Sequence, residues 1–549
     1  MVRSMRQLNG IDVAFLNMEN PTTFGHVSSL SIYDPTGAPG GGGYEATRRM
    51  LLERIHMIPP FRQRLMEVPF GLDRPYWVDD PDFDIDFHLR HHAVPPPGTP
   101  EQLAEVISRI VARPLDRAHP LWELYVIEGV DDGRLIAQLT KVHHAAIDGV
   151  GGATMLATML DTDPAARPGE PMPWEPEPTP TPDELTRRAL ADLMRSPAKM
   201  MSAGIRTFRD IAHASRSGAL HSLADIVAQP IPGKVGDALR RRRQAPRRDD
   251  DAPPALPLTP APRTPFNAPI SRHRRFAYTT VDLAQAKQIR RAVGCTFNDV
   301  VMALCSGTLR RYLLAHDCLP EDPLIAMVPI SVRTGEEETP YGNRVSALFA
   351  DLATDEPDPL ARLARIQQAM NTAKTQFDPI SADILQDVSQ FLPPAIATRA
   401  LRMASRLHVA DRMNPPFNLI ISNVPGPPQP LYSSGAELRH YYPVSAIVDG
   451  QGLNMTVQSY NGRLDFGFLA CRELVPDVWD MMDMLHESLD ELLTAIEPPP
   501  PKSPVNTTPA KKAATKKTPT KKTAAKKTAA KKTAAKQAPA TPRRSARQA

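Results

Sequence analysis

Apolar and polar positions alternate with different periods along the chain, and the periods mark out its elements. In EQLAEVISRIVARPLD, which begins at Glu101, the residues Leu103, Val106, Ile107, Ile110 and Val111 recur at helical spacing and predict an amphipathic helix. Two apolar runs rich in strand formers follow, LWELYVIEGV and LIAQLTKV, on either side of the Gly-containing turn Asp131-Asp132-Gly133-Arg134. They read as a β-hairpin whose second strand ends at the paired His143 and His144. Farther on, FAYTTVDLAQAKQIRRAVG predicts a strand and a helix, and TFNDVVMALCSGTLRRYL a second helix. Strands alternating with helices in this way imply an α/β fold.

Proline breaks the pattern in two places. Residues 161–184 are too rich in Pro and acid to pack, and 231–270 are Pro-rich with an Arg240 to Arg243 run, so both read as linkers. The intervening 185–230 has a helical pattern, as in MMSAGIRTFRDIAHASR, which fits a crossover helix or an interfacial one. A chain of 549 residues is too long for one core, and two folded units suit it best. The division expected is 1–160, a linker over 161–270, a second folded unit over 271–497, and a tail over 498–549.

Charge separates that tail from the rest. Residues 498–549 hold 15 Lys and Arg and no Asp or Glu, so the overall +4 conceals a body of net charge −11. KKTAA repeats from Lys521 to Ala535, and the segment lacks the apolar surface needed to fold. Disorder and polyanion binding are the expectations for it. The opening MVRSMRQLNGIDVAFL has no apolar run long enough for a signal segment, and no run of about 18 uncharged apolar residues occurs, so a cytoplasmic protein is expected. Cys295, Cys305, Cys318 and Cys471 lack metal-finger spacing and read as reduced thiols; no metal site is predicted.

The candidate chemistry lies in KVHHAAIDGVGGATML, where His143, His144, Asp148 and Gly149 fall between a strand end and a helix starting near Gly152. Neighbouring side chains on an extended segment point to opposite sides, so only one histidine faces a given cleft and the other is packed. Imidazole suits acyl transfer because its ordinary pKa near 6.5 lets it take a proton from a hydroxyl and return it at neutral pH. A thioester needs little more than a base, alignment and donors to the developing oxyanion.

HHxxxDG after a strand, in a chain with two α/β halves, resembles the motif shared by chloramphenicol acetyltransferase, condensation domains and the wax ester synthases. PLWE (Pro120 to Glu123), NDVV from Asn298, VPISVR from Val328 and SNVPGP from Ser422 narrow the resemblance to the bacterial wax ester synthase/diacylglycerol acyltransferases. The N-terminal LNGIDVAFLNMENPTTFGHVSSL, with Glu19 and His26, resembles their opening.

The resemblance implies two chloramphenicol-acetyltransferase-like domains joined by a crossover linker and meeting at a channel. It implies His144 as general base, His143 in support, Asp148 as a strut held by an arginine, and Gly149 in the motif turn. Arg333 is the candidate partner of Asp148, since a guanidinium can hold a carboxylate by two parallel hydrogen bonds. Trp122, Asn298, Asp299 and Asn423 would bind substrate or line the channel. Two local readings stay open beside this: Thr296 and Asp299 fit a helix capping box, and SNVPGP fits a loop between strands. LDFGFL reads as a strand without a catalytic part.

The implied substrates are a long-chain acyl-CoA and either diacylglycerol or a fatty alcohol, giving triacylglycerol or wax esters, with no cofactor. Such substrates imply peripheral attachment to a membrane or lipid droplet, and Met200 to Arg216 and Ile384 to Leu407 carry the mixed apolar and basic character that would serve. The alternatives are an acyltransferase of the same superfamily with another acceptor, and a non-enzymatic lipid- or polyanion-binding protein.

Overall fold

The computed structural model describes residues 5–147, 149–165, 174–195, 261–331, 345–376 and 415–497. Asp148, Arg333, the two segments Met200 to Arg216 and Ile384 to Leu407, and the tail lie outside the described residues. Two six-stranded sheets and one three-stranded sheet organise the rest.

The first half supplies β1 (Arg6–Gln7), β2 (His26–Asp34), β3 (Gln63–Met66), β4 (Tyr76–Asp79), β5 (Leu89–Ala93), β6 (Trp122–Val130) and β7 (Leu135–His143). The second supplies β8 (Arg274–Asp282), β9 (Ile325–Ser331), β10 (Val345–Asp351), β11 (Leu419–Val424), β12 (Tyr432–Ser433), β13 (Ala436–Val444), β14 (Leu453–Tyr460) and β15 (Arg463–Cys471). One large sheet has the order β12-β13-β2-β7-β6-β5, the other β10-β9-β11-β14-β15-β8, and the small one β1-β4-β3.

The hairpin expected before the histidines is β6–β7, antiparallel from Trp122 opposite Val142. Its turn places Asp131, Asp132 and Gly133 all at positive φ (53°, 55° and 80°), the left-handed backbone that Asp and Gly tolerate best. The amphipathic helix spans Pro100–Val111, opened by a Thr99–Gln102 capping box with Pro100 in its first turn. Its apolar stripe, Leu103, Ile107 and Ile110, is buried. Asp282 caps the helix Leu283–Val293 and Gly294 closes it at φ 74°. The expected capping box at Thr296 is also present: the Asp299 amide donates to Thr296 Oγ1 at 3.2 Å, and Asp299 Oδ2 accepts from the Thr296 amide at 2.8 Å.

Two boundaries differ from the expectation. Residues 261–270, assigned to a linker for their prolines, pack into the second half, with Phe266 fully buried in its core. Asn267 ties this stretch down by donating to the carbonyls of Asn418 and Gly450, each at 2.8 Å. Proline content reports what cannot enter a sheet, and it does not report whether a loop is covered. Likewise β12 and β13, from the second half of the chain, belong to the first sheet. β13 pairs with β2 from Glu437 opposite Asp34 to Val444 opposite Ser28, covering an edge that would otherwise be open. Asp161, expected to begin the linker, is fixed by backbone bonds to Tyr432 and by the Arg54 guanidinium at 2.7 Å.

The sheets meet where β13 crosses β15. Asp465 of β15 is fully buried and accepts from the Tyr441 amide and from Thr280 Oγ1, each at 2.7 Å. Phe276 and Leu469 of the second sheet share a buried cluster with Leu30 and Leu139 of the first and with Leu103 and Ile107 of the helix Pro100–Val111. At the crossing, a Cβ on Gly467 would lie 1.9 Å from the Pro443 carbonyl oxygen, so only glycine lets the backbones approach this closely. LDFGFL is therefore the strand expected, and its aspartate and glycine hold the two sheets together. We expect Gly467→Ala to lower unfolding stability by about 1–3 kcal/mol, the usual cost of overpacking, measured by chemical denaturation.

Candidate active site

β7 ends at His143, and the turn that follows carries His144 to Ala146. The two histidines separate as extended-chain alternation requires. His143 is 1% exposed, whereas His144 is half-buried. Main-chain bonds fix the turn: the His143 amide donates to the Leu121 carbonyl at 2.9 Å, the His144 amide to the Gly25 carbonyl at 2.8 Å, and the Ala146 amide to the His143 carbonyl at 2.9 Å. The Ala145 amide donates to His143 Nδ1 at 3.0 Å. Phe15, on the helix Gly10–Met18, stacks on the His144 ring with centroids 4.0 Å apart and planes 14° from parallel.

Gly25 is the close contact of the site. A Cβ there would fall 2.5 Å from His143 Nε2, so the imidazole occupies the space a side chain would need. The loop reaching Gly25 is shaped by Asn20, whose Oδ1 accepts from the Thr22 and Thr23 amides, each at 2.8 Å.

Behind His143 lies a buried charged cluster. Glu19 Oε1 accepts from the Gly25 amide at 2.9 Å and lies 3.3 Å from His143 Nε2, within ion-pair reach but off hydrogen-bond alignment. Arg117 grips Glu19 Oε2 through Nε at 3.1 Å and Nη2 at 2.6 Å. Burial works to raise the Glu19 pKa, but His143, the Gly25 amide and Arg117 outweigh it and hold the carboxyl at about 2. On the same face of the sheet, the fully buried Lys141 meets Glu123 Oε2 at 3.1 Å, with burial pulling its pKa down against that partner. His26, opposite His143 across β2–β7, has its pKa driven well below the ordinary value by burial and then by Lys141 and His143. It stays neutral and bonds the Val111 carbonyl through Nε2 at 3.1 Å.

The remaining expected site residues fall in two places. Trp122 is not an open channel residue. It is 1% exposed, sandwiched between Phe61 (centroids 4.2 Å) and His88 (4.5 Å), with its indole N–H donating to the Phe61 carbonyl at 2.9 Å. Both its faces and its one donor are occupied inside the protein. Asn298 and Asn423 come together from 125 positions apart in sequence, Asn423 Nδ2 donating to Asn298 Oδ1 at 3.3 Å. Asp299 is buried, with Oδ2 in the capping box and Oδ1 without a hydrogen-bond partner. Ser422 to Val424 form the end of β11 and only Pro425 to Pro427 leave the strand, so the SNVPGP block is half strand and half loop. Gly149 opens the helix Gly149–Met159, three residues earlier than expected.

Three contributors had no signal strong enough to find in the sequence. Phe15 reads as an ordinary apolar helix position, Gly25 as a loop glycine and Arg117 as a lone surface charge. The Asn-Pro-Thr-Thr run before Gly25 was the one legible hint, marking a shaped loop. Among the described residues no group of three or more His, Cys, Asp or Glu is placed to hold a metal ion. No single helix there is long and apolar enough to cross a membrane.

Comparison with known proteins gives this geometry its context. Residues 8–301 match the family model of the wax ester synthase/diacylglycerol acyltransferase catalytic domain, and 341–493 match the C-terminal domain of the same family. A Mycobacterium tuberculosis protein provisionally named diacylglycerol O-acyltransferase is 36% identical over 497 residues, covering 90% of this chain and 92% of its own. A Mycobacterium bovis protein with the same provisional name is 35% identical, covering 88% and 98%. The solved wax ester synthase/diacylglycerol acyltransferase from Marinobacter aquaeolei VT8 superposes with a TM-score of 0.59 at 29% identity, over 89% of this chain and all of that one. The chain belongs to the wax ester synthase/diacylglycerol acyltransferase family and is an acyltransferase.

Proposed function

We propose that the protein moves a fatty acyl group from a long-chain acyl-CoA to the hydroxyl of diacylglycerol or a long-chain alcohol, making triacylglycerol or wax ester, with His144 as general base. The observation that carries this reading is the unequal placement of the two motif histidines. His143 is packed against Gly25, and His144 is half-buried at the end of β7 on a main chain fixed by Gly25.

In this reaction the acceptor hydroxyl gives its proton to His144 as its oxygen attacks the thioester carbonyl. The tetrahedral intermediate then collapses, the C–S bond breaks, and the proton passes from His144 to the departing thiolate. The phenyl ring of Phe15 restricts the imidazole to one plane, which limits the geometries from which that proton can be taken. Asp148 acts as a strut of the motif loop with Arg333 as its partner. Asn298, Asp299 and Asn423 line the substrate channel, with the Asn298–Asn423 bond offering polar contacts to a bound acyl or acceptor group and Asp299, itself buried, fixing the start of the helix that carries Asn298. The protein works at a membrane or lipid-droplet surface, where its substrates reside, and the basic tail strengthens attachment to anionic surfaces by up to about 1 kcal/mol for each Lys or Arg close to them.

His144→Ala should lower acceptor-dependent release of CoA by roughly 10²- to 10⁴-fold with an unchanged fold, whereas His143→Ala should act mainly by lowering stability. Near-wild-type turnover in a folded His144→Ala protein removes the mechanism. If Asp148 and Arg333 are partners, the double variant will lose less than the two single losses combined, and strict additivity rejects the pairing. Truncation after Glu497 should keep full turnover on detergent-dispersed substrate while abolishing salt-sensitive binding to anionic vesicles or DNA; a folded but inactive truncation contradicts that separation.

A further inference from the structure

The buried carboxylate beside the motif has a position that its charge alone does not require. Nδ1 of His143 accepts the Ala145 amide proton at 3.0 Å, and an imidazole nitrogen that accepts a hydrogen bond carries no proton itself. The proton of His143 therefore resides on Nε2. That nitrogen lies 3.3 Å from Glu19 Oε1, off hydrogen-bond alignment but close enough for the carboxylate charge to favour a proton there.

Glu19 cannot turn away from it. Oε1 is held by the Gly25 amide at 2.9 Å and Oε2 by the Arg117 fork, and Arg117 Nη2 also donates to the Leu16 carbonyl at 2.5 Å. Glu19 directly follows the helix Gly10–Met18, and Phe15, one turn earlier, stacks on His144. One helix end thus touches both histidines. Gly25 joins them a second time: its Cα faces His143 Nε2, while its carbonyl accepts from the His144 amide at 2.8 Å.

We propose that Glu19 is a positioning residue for acyl transfer: clamped by Arg117 and Gly25, its carboxylate holds His143 as the Nε2–H tautomer, which keeps Nδ1 bonded to Ala145 and so fixes the turn that presents His144. The inference rests on His144 being the base. Loss of the carboxylate frees the proton of His143 to move to Nδ1, where it would oppose the Ala145 N–H and open the turn. Arg117 is the second member of the device, since without its fork Glu19 can rotate toward solvent.

The test uses the full chain carrying ¹⁵N-labelled histidine, with the His143 signals assigned by a His143→Gln variant. Wild type should show His143 protonated at Nε2 and bare at Nδ1. Glu19→Gln presents one acceptor and an NH₂ in place of two acceptors, so it should shift the proton population toward Nδ1. It should also lower kcat by about 10- to 100-fold, the scale of a misplaced reacting group, with KM for acyl-CoA and acceptor changed little. Glu19→Asp, which keeps the charge, should recover part of both. If Glu19→Gln does not fold, Arg117→Lys, which keeps the charge but loses the fork, should show the same changes to a smaller degree.

An unchanged tautomer in these variants overturns the proposal, even if activity falls, because the loss would then come by another route. A changed tautomer with wild-type kcat overturns it as well. The tautomer measurement needs no turnover, so a wild-type chain without acyltransferase activity would refute the functional reading while leaving the state of His143 separately decided.

Discussion

The contact between Gly25 and the end of β7 is the constraint around which the site is built. The His143 imidazole lies where a Cβ of residue 25 would stand, and the same residue's carbonyl takes the His144 amide. Any side chain at this position would push the ring out or the strand apart. The buried charges follow from it: a histidine pressed against backbone has its second nitrogen 3.3 Å from the Glu19 carboxylate, and Arg117 supplies the counter-charge that lets a carboxylate exist there. With His143 so held, His144 projects from a main chain fixed on both sides.

The second half of the chain reaches the same loop from the other side. Arg274, at the start of β8, donates to the Thr22 carbonyl and lies over the Phe24 ring with 5.1 Å between its guanidinium carbon and the ring centroid. Burial lowers its pKa to about 10, opposed by Cys471, Glu473 and Asp449, so it remains charged at neutral pH. Together with β13 entering the first sheet and Asp465 accepting from it, this makes the two sheets one folded body. The loop that positions the histidines is thereby supported by both halves.

Much of this was legible in the sequence because it is local. The hairpin, the helix Pro100–Val111 and the Thr296 capping box each follow from residues within about two dozen positions of one another. The motif and the family blocks pointed to the correct class of enzyme. What could not be read is what depends on distant partners. β13 pairs with a strand about 400 positions earlier, Trp122 is enclosed by Phe61 and His88, and Arg117 meets a carboxylate 98 positions away. No periodicity encodes such pairings. The proline-rich approach to β8 misled for a related reason, since composition says nothing of the Asn267 side chain that anchors it.

The division of labour between the two adjacent histidines is tested most directly by residue-resolved acylation with diethyl pyrocarbonate. With the folded enzyme treated in stages and the modified residue located by fragment-ion mass spectrometry, half-buried His144 should react before buried His143. Activity should fall in step with its modification, and bound acyl-CoA and acceptor should protect it, while His143 stays unmodified until the protein unfolds. Activity lost in step with His143, or retained when His144 is fully modified, would contradict the account.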